Sequence, residues 1–175
     1  MNIIDMIETE RLLLKPYALD DFEAYHAIVS DSSVMRFIGG APLTAEDAWS
    51  RILRYAGHWK LMGFGMFAVR DRVSGDMIGE TGLFEYRRGL GEDFDRSPEA
   101  GWIFRIDAHG KGYAFEAAQA AHDWLDTNRG RARTVCMIGP ENASSLRLAQ
   151  KLGYAPFGKR RYKEDDVIVL ERMPA

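Results

Sequence analysis

The chain has 175 residues, 46% of them hydrophobic and 28% charged, with a formal net charge of −3. It is long enough to bury a core within one domain and too apolar to stay disordered. The mildly acidic balance argues against nucleic acid or an anionic membrane as partner, and the lone Cys136 excludes an internal disulfide.

The start, Met-Asn-Ile-Ile-Asp, has neither a basic segment nor a long apolar one, and no later apolar run approaches a membrane span; a cytoplasmic protein is expected. Residues 11–15 read as a short Leu-rich strand closed by Pro16. A helix over 19–30 follows, with Asp20 and Asp21 in its first turn and Phe22, Tyr25, Ile28 and Val29 at helical spacing. After a Gly/Pro loop, Thr44 and Asp47 open a second helix running to about Lys60, striped by Ala48, Ile52, Tyr55 and Trp59. Residues 66–70 and 77–86 are β-rich and joined by a turn at 73–76. The polar stretch 87–97 is expected to be a long, mobile loop.

Next come a strand at 99–106, a helix at 112–128 and a strand at 133–138. A helix at 142–152 ends at Gly153, and strands at 155–163 and 166–172 close the chain as antiparallel neighbours. The crossover from 101–106 to 133–138 makes that pair parallel. The order predicts one three-layer α+β domain over residues 1–175. Its sheet is mixed and mostly antiparallel, of about seven strands flanked by about four helices.

Chemistry concentrates where strand 101–106 gives way to helix 112–128. Gly110 and Gly112 lie between them, and a helix start leaves N–H groups unpaired at the positive end of its dipole. Glycines let a phosphate approach that backbone. The bland alternative is a simple turn; a dinucleotide motif fails because Phe115 stands at its third glycine. Cys136, inside the apolar run 134–138, reads as a buried, inert thiol. Histidines at 26, 58, 109 and 122 are scattered, so no metal cluster is expected. Of Trp49, Trp59, Phe64 and Trp102, one or two are expected at a binding surface and the rest in the core.

The run His109-Gly110-Lys111-Gly112-Tyr113-Ala114 resembles the acetyl-CoA signature Gln/Arg-x-x-Gly-x-Gly/Ala of the GNAT N-acetyltransferases, with His109 departing from Gln or Arg. Three further segments resemble the branch acting on ribosomal-protein N-termini (RimJ/RimL-like). They are Glu8-Thr9-Glu10-Arg11-Leu12, Met77-Ile78-Gly79-Glu80-Thr81-Gly82, and Asn142-Ala143-Ser144-Ser145 followed by Lys151-Leu152-Gly153-Tyr154.

The resemblance implies a splayed strand pair into which the pantetheine of acetyl-CoA inserts. Main-chain groups at Ile103, Phe104 and Arg105 would bond it, and the N–H groups of His109, Gly110, Lys111, Gly112, Tyr113 and Ala114 would take the pyrophosphate. Asn142 would bond the pantetheine and Ser145 would face the sulfur. The family's Tyr acid is replaced by Ala149, which leaves Ser145 or water for that task. Glu99 is the candidate base, with Glu164 or an ordered water as rivals.

The implied activity is acetyl transfer to a primary amine, such as a protein N-terminus, with no metal needed, by a monomer or homodimer. Alternatives are a small-amine acetyltransferase (polyamine, antibiotic or amino acid) and a catalytically silent acyl-CoA-binding sensor. Stretches 31–44 and 87–98 should shape the acceptor site, and Glu92, Asp93 and Asp95 are candidates to attract a cationic acceptor.

Overall fold

A computed structural model describes residues 6–174. β1 (Ile7–Glu8) and β2 (Leu12–Pro16) form the first antiparallel pair. A 3₁₀ turn at Leu19–Asp21 precedes α1 (Phe22–Val29), so the expected helix starts later than its acidic residues suggest. Asp21 serves that turn instead: its carboxylate accepts the Ala18 N–H at 2.8 Å and pairs with Arg70. A short helix that the sequence reading missed, α2 (Ser32–Met35), is capped by Asp31. α3 (Ala45–Met62) starts as expected, with the Thr44 hydroxyl accepting from Asp47 N–H at 3.1 Å.

β3 (Met66–Asp71), β4 (Met77–Phe84) and β5 (Glu99–Phe104) continue the antiparallel sheet. The stretch expected to be mobile holds a turn of helix, α4 (Glu92–Asp95). Leu90 and Phe94 pin it against Val135, Val167 and Val169, because two apolar anchors outweigh its polar composition. After a 3₁₀ turn at Ile106–Ala108 come α5 (Tyr113–Arg129), β6 (Thr134–Ile138), α6 (Ala143–Lys151), β7 (Ala155–Tyr162) and β8 (Asp165–Arg172). The sheet order is β1-β2-β3-β4-β5-β6-β8-β7, with β5 and β6 its parallel pair. Among the described residues it has eight strands where about seven were expected, and six α-helices where about four were. The extra elements are the short ones, β1, α2 and α4.

The two sheet faces carry separate cores. α1 and α3 cover one, packing Tyr25, Ile28, Val29, Ile52 and Tyr55 against Met66, Ala68, Phe84 and Ile103. α5 covers the other, its Ala117, Ala118, Ala121 and Leu125 lying on Leu14, Phe67, Val69 and Phe104. Small residues on α5 let it sit close to the sheet. Trp59, Phe64 and their neighbours belong to this core, while Trp49 is largely exposed against Phe22.

β4 is pressed hard between its neighbours. A Cβ at Gly79 would lie 2.5 Å from the Ile103 carbonyl oxygen and from the Phe104 ring, so the glycine of the Ile-Gly-x-x-Gly segment sets the distance from β4 to β5.

Candidate active site

β5 and β6 touch at one register position, Glu99 opposite Val135, where Val135 N–H donates to Pro98 O at 3.0 Å. From there the strands part. Residues 100–103 on one side and 136–142 on the other line a cleft of about 920 Å³.

Strand phase decides which groups of β5 face that opening. Pro98 O points toward β6, whereas Arg105 N–H donates to Ile78 O of β4 at 3.0 Å. Main-chain groups alternate edges along a strand, so Ile103 and Arg105 face β4, opposite Glu80 and Ile78. The edge open to the cleft belongs to Trp102 and Phe104. This corrects the expectation for the main-chain groups of Ile103 and Arg105; those of Phe104 share the edge of Trp102. The Phe104 carbonyl is already taken: His109 Nε2 lies 2.9 Å away and must carry the proton, since a carbonyl only accepts.

Beyond β5 the chain turns through Gly110 (φ 73°) and Gly112 (φ 82°), left-handed conformations that residues with a side chain resist. His109 N–H bonds Ile106 O at 3.0 Å, so it does not belong to the expected donor set. The first α5 bond is Glu116 N–H to Gly112 O at 3.1 Å. The N–H groups of Gly112, Tyr113, Ala114 and Phe115 therefore have no partner within the helix and converge at its positive end. Lys111 is exposed beside them.

A distant segment braces this turn. Arg11 pairs with Glu116 at 2.7 Å, donates to Lys111 O at 2.8 Å and lies 4.5 Å from the Tyr113 ring centre. Thr9 hydroxyl and Arg11 N–H also bond Glu116, at 2.6 and 2.9 Å. Burial alone would raise the Glu116 carboxyl, but these donors and the guanidinium outweigh it and hold the group low.

On the opposite bank, Asn142 caps α6 through Oδ1, which accepts Ser145 N–H at 3.2 Å and the Ser144 hydroxyl at 3.0 Å. Among the described residues its amide N–H groups have no protein partner. The Trp102 indole donates to Ser145 Oγ at 3.1 Å, a bond that reaches from β5 to α6 and leaves the serine proton free to donate. Ala149 is fully buried in the α5-side core, so that position offers the cleft no acid.

At the closed end, Glu99 is buried. Its Oε2 accepts Arg88 Nε at 2.7 Å, and Arg88 also donates to Tyr162 OH at 2.9 Å. Burial pushes the Glu99 carboxyl up, against the pull of Arg88. Among the described residues Oε1 has no protein partner, yet it is not sealed from the cleft. A second buried carboxylate, Glu80, uses both oxygens, accepting Tyr17 OH at 2.6 Å and Tyr55 OH at 3.2 Å. Glu164 is exposed in the β7–β8 turn, outside the cleft lining.

A helix start with unpaired N–H donors, a strand edge leading to it, and a carboxylate with one open oxygen are parts that a nucleotide thioester and an amine would need. A family model described as an acetyltransferase (GNAT) domain matches residues 11–155. The chain belongs to the GNAT acetyltransferase family. A relative described as the uncharacterized N-acetyltransferase YnaD of Bacillus subtilis is 32% identical over 147 residues, 84% of this chain and 81% of that protein. A GnaT-family acetyltransferase structure from Bordetella pertussis superposes with a TM-score of 0.87 at 34% identity, covering 96% of this chain and 99% of that one. The ribosomal L7/L12 α-N-protein acetyltransferase RimL, solved with coenzyme A, reaches a TM-score of 0.78 at 14% identity over 97% of this chain and 98% of its own. That likeness is one of fold alone.

Within this GNAT domain the cleft gathers Glu99, Trp102, Ile103, Asn142 and Ser145. The expected acceptor loops contribute in part, through residues 36–40 and Arg87 and Arg88. The acidic trio does not contribute: Asp93 pairs with Arg160, Glu92 with Arg96, and Asp95 accepts Gly89 N–H. Sequence reasoning overlooked Arg11 with Glu116, Arg88 with Glu99, and Glu80 with its tyrosines. The Glu-Arg pair in the opening motif was the one local hint of the first.

Proposed function

We propose that this GNAT domain transfers acetyl from acetyl-CoA to a primary amine by direct attack in a ternary complex. The observation that carries the reading is the opening between β5 and β6, which begins at Glu99 with its free oxygen and runs along β5, the strand that leads into the glycine turn. The N–H groups from Gly112 to Phe115 bind the pyrophosphate, and the cleft-facing edge of Trp102 and Phe104 aligns the pantetheine beside Asn142. The amine nitrogen attacks the thioester carbon, and the developing oxyanion is held by a cleft-facing N–H of β5.

The proton lost by nitrogen passes to Glu99 Oε1, directly or through one water. The C–S bond then breaks and coenzyme A leaves as thiolate. With an ordinary thiol pKa of about 8.5, that thiolate needs only the Ser145 hydroxyl or water as proton source.

Glu99→Gln tests the assignment. Acetyl-CoA affinity should stay within about twofold while kcat falls about a hundredfold, the usual worth of a positioned base. Absence of coenzyme A binding by calorimetry would overturn the cofactor reading. An unchanged kcat would remove Glu99 from the mechanism, and binding without turnover of any amine would leave the sensor reading.

A further inference from the structure

The half of the cleft beside α2 and α3 is lined by three guanidinium groups that make no direct ion pair among the described residues, Glu80 acting on Arg51 and Arg54 only at longer range. Arg51 and Arg54 sit three residues apart on α3, on the face that also carries Tyr55. Arg36 lies at the end of α2, with its guanidinium 5.0 Å from the Phe37 ring centre. Among the described residues, no carboxylate oxygen comes within 4 Å of any of the three. Arg54 donates to Tyr86 OH at 2.8 Å, a neutral partner. Arg51 is half-buried, with the neutral Tyr25 and Tyr55 hydroxyls beside it.

The acids in the same lining are already engaged or lie elsewhere. Glu99 is held by Arg88, and Glu80 spends both oxygens on tyrosines. Glu141, Asp165 and Asp166 enter from the β6–α6 loop and the β7–β8 hairpin, with Lys163 beside them. Like charges brought together on one helix face repel, and a partly desolvated guanidinium whose counter-charge is out of contact is costly. An anion that enters with the substrate removes both penalties.

Resting on the acetyl-transfer reading above, we propose that the acceptor is an amine that also carries an oxyanion, a carboxylate or phosphoryl group, gripped by Arg51 with Arg36 and Arg54. Guanidinium presents paired N–H donors that match such an oxyanion two-to-two. The same positive field disfavours an ammonium and eases its deprotonation, and it repels a polyamine.

The test loads the enzyme with coenzyme A and measures acceptor binding by calorimetry, beside thiol release with acetyl-CoA. The acceptors are glutamate, 2-aminoethylphosphonate, an N-terminal acidic peptide with an amidated C-terminus, the charge-free amides of the two carboxylate ligands, and spermidine. At least one oxyanion-bearing amine should bind about tenfold or more tightly than its amide or spermidine, as loss of a charge-assisted pair implies. The arm that responds separates free amino acid, phosphonate and peptide sources. In Arg51→Gln that preference should collapse to about twofold or less while acetyl-CoA affinity is retained, which also shows that the variant is folded. Equal or tighter binding of the amides or spermidine overturns the proposal and leaves acetyl transfer standing. Loss of acetyl-CoA binding in the wild type instead removes the underlying reading.

Discussion

His122 gives the sharpest quantitative expectation. It lies in the α5 core with Nδ1 2.7 Å from Ala118 O and Nε2 2.7 Å from Tyr154 OH, and Thr134 Oγ1 is 2.7 Å from the same hydroxyl. Because the carbonyl can only accept, Nδ1 carries the proton and Nε2 accepts from Tyr154. Burial pushes the imidazole down to about 4, despite the favourable Ala118 bond. In the unfolded chain it titrates near its ordinary value of about 6.5. Between those two values the unfolded state holds the extra proton, so stability is full above the higher one and falls as pH drops toward the lower. Integrating the difference from pH 7 to pH 5 yields about 2 kcal/mol lost through this one group.

His122→Gln keeps a donor for Ala118 and an acceptor for Tyr154 but cannot titrate. Urea unfolding at both pH values isolates the effect, since every other group shifts equally in the two proteins. The variant should be less stable at pH 7 and should lose about 2 kcal/mol less than wild type on acidification. Equal losses in the two proteins, with unchanged m-values, would refute the assignment of a neutral buried imidazole.

Three further outcomes are expected. Arg11→Met removes the brace on the glycine turn, so acetyl-CoA binding by calorimetry should weaken about tenfold, with kcat changed far less. Trp102→Phe frees Ser145 Oγ from its indole donor, and kcat should fall about fivefold, the scale of one neutral hydrogen bond, with coenzyme A affinity held within about twofold. Because burial raises the Glu99 carboxyl, the acid limb of the kcat profile should fall at a pH above the ordinary carboxylate range, and that limb should vanish in Glu99→Gln.

The parts of the site legible in the sequence are those that local geometry dictates. Gly110 and Gly112 announce a left-handed turn, Thr44 and Asn142 announce helix caps, and each device acts within three residues of itself. The parity of β5 was not legible. Alternation shows which residues share an edge, but only the pairing of Arg105 with Ile78 shows which edge meets β4. The stretch 87–97 misled because its composition is polar, and what holds it is Leu90 and Phe94 on a distant valine cluster.

By itself, then, the chain determined its order of elements, the glycine turn and donor-rich start of α5 and the caps of α3 and α6, since these follow from φ preferences and from neighbouring donors. Only the tertiary structure decided the charge of the cleft beside α2 and α3 and the pairing of its acids. Arg11 finds Glu116 across 105 positions, and Tyr17 finds Glu80 across 63. Arg51 and Arg54 have no carboxylate oxygen within 4 Å among the described residues, and Glu80 reaches them only through the longer-range field. Coulombic partners are chosen by folded distance and burial, which no spacing along the sequence encodes.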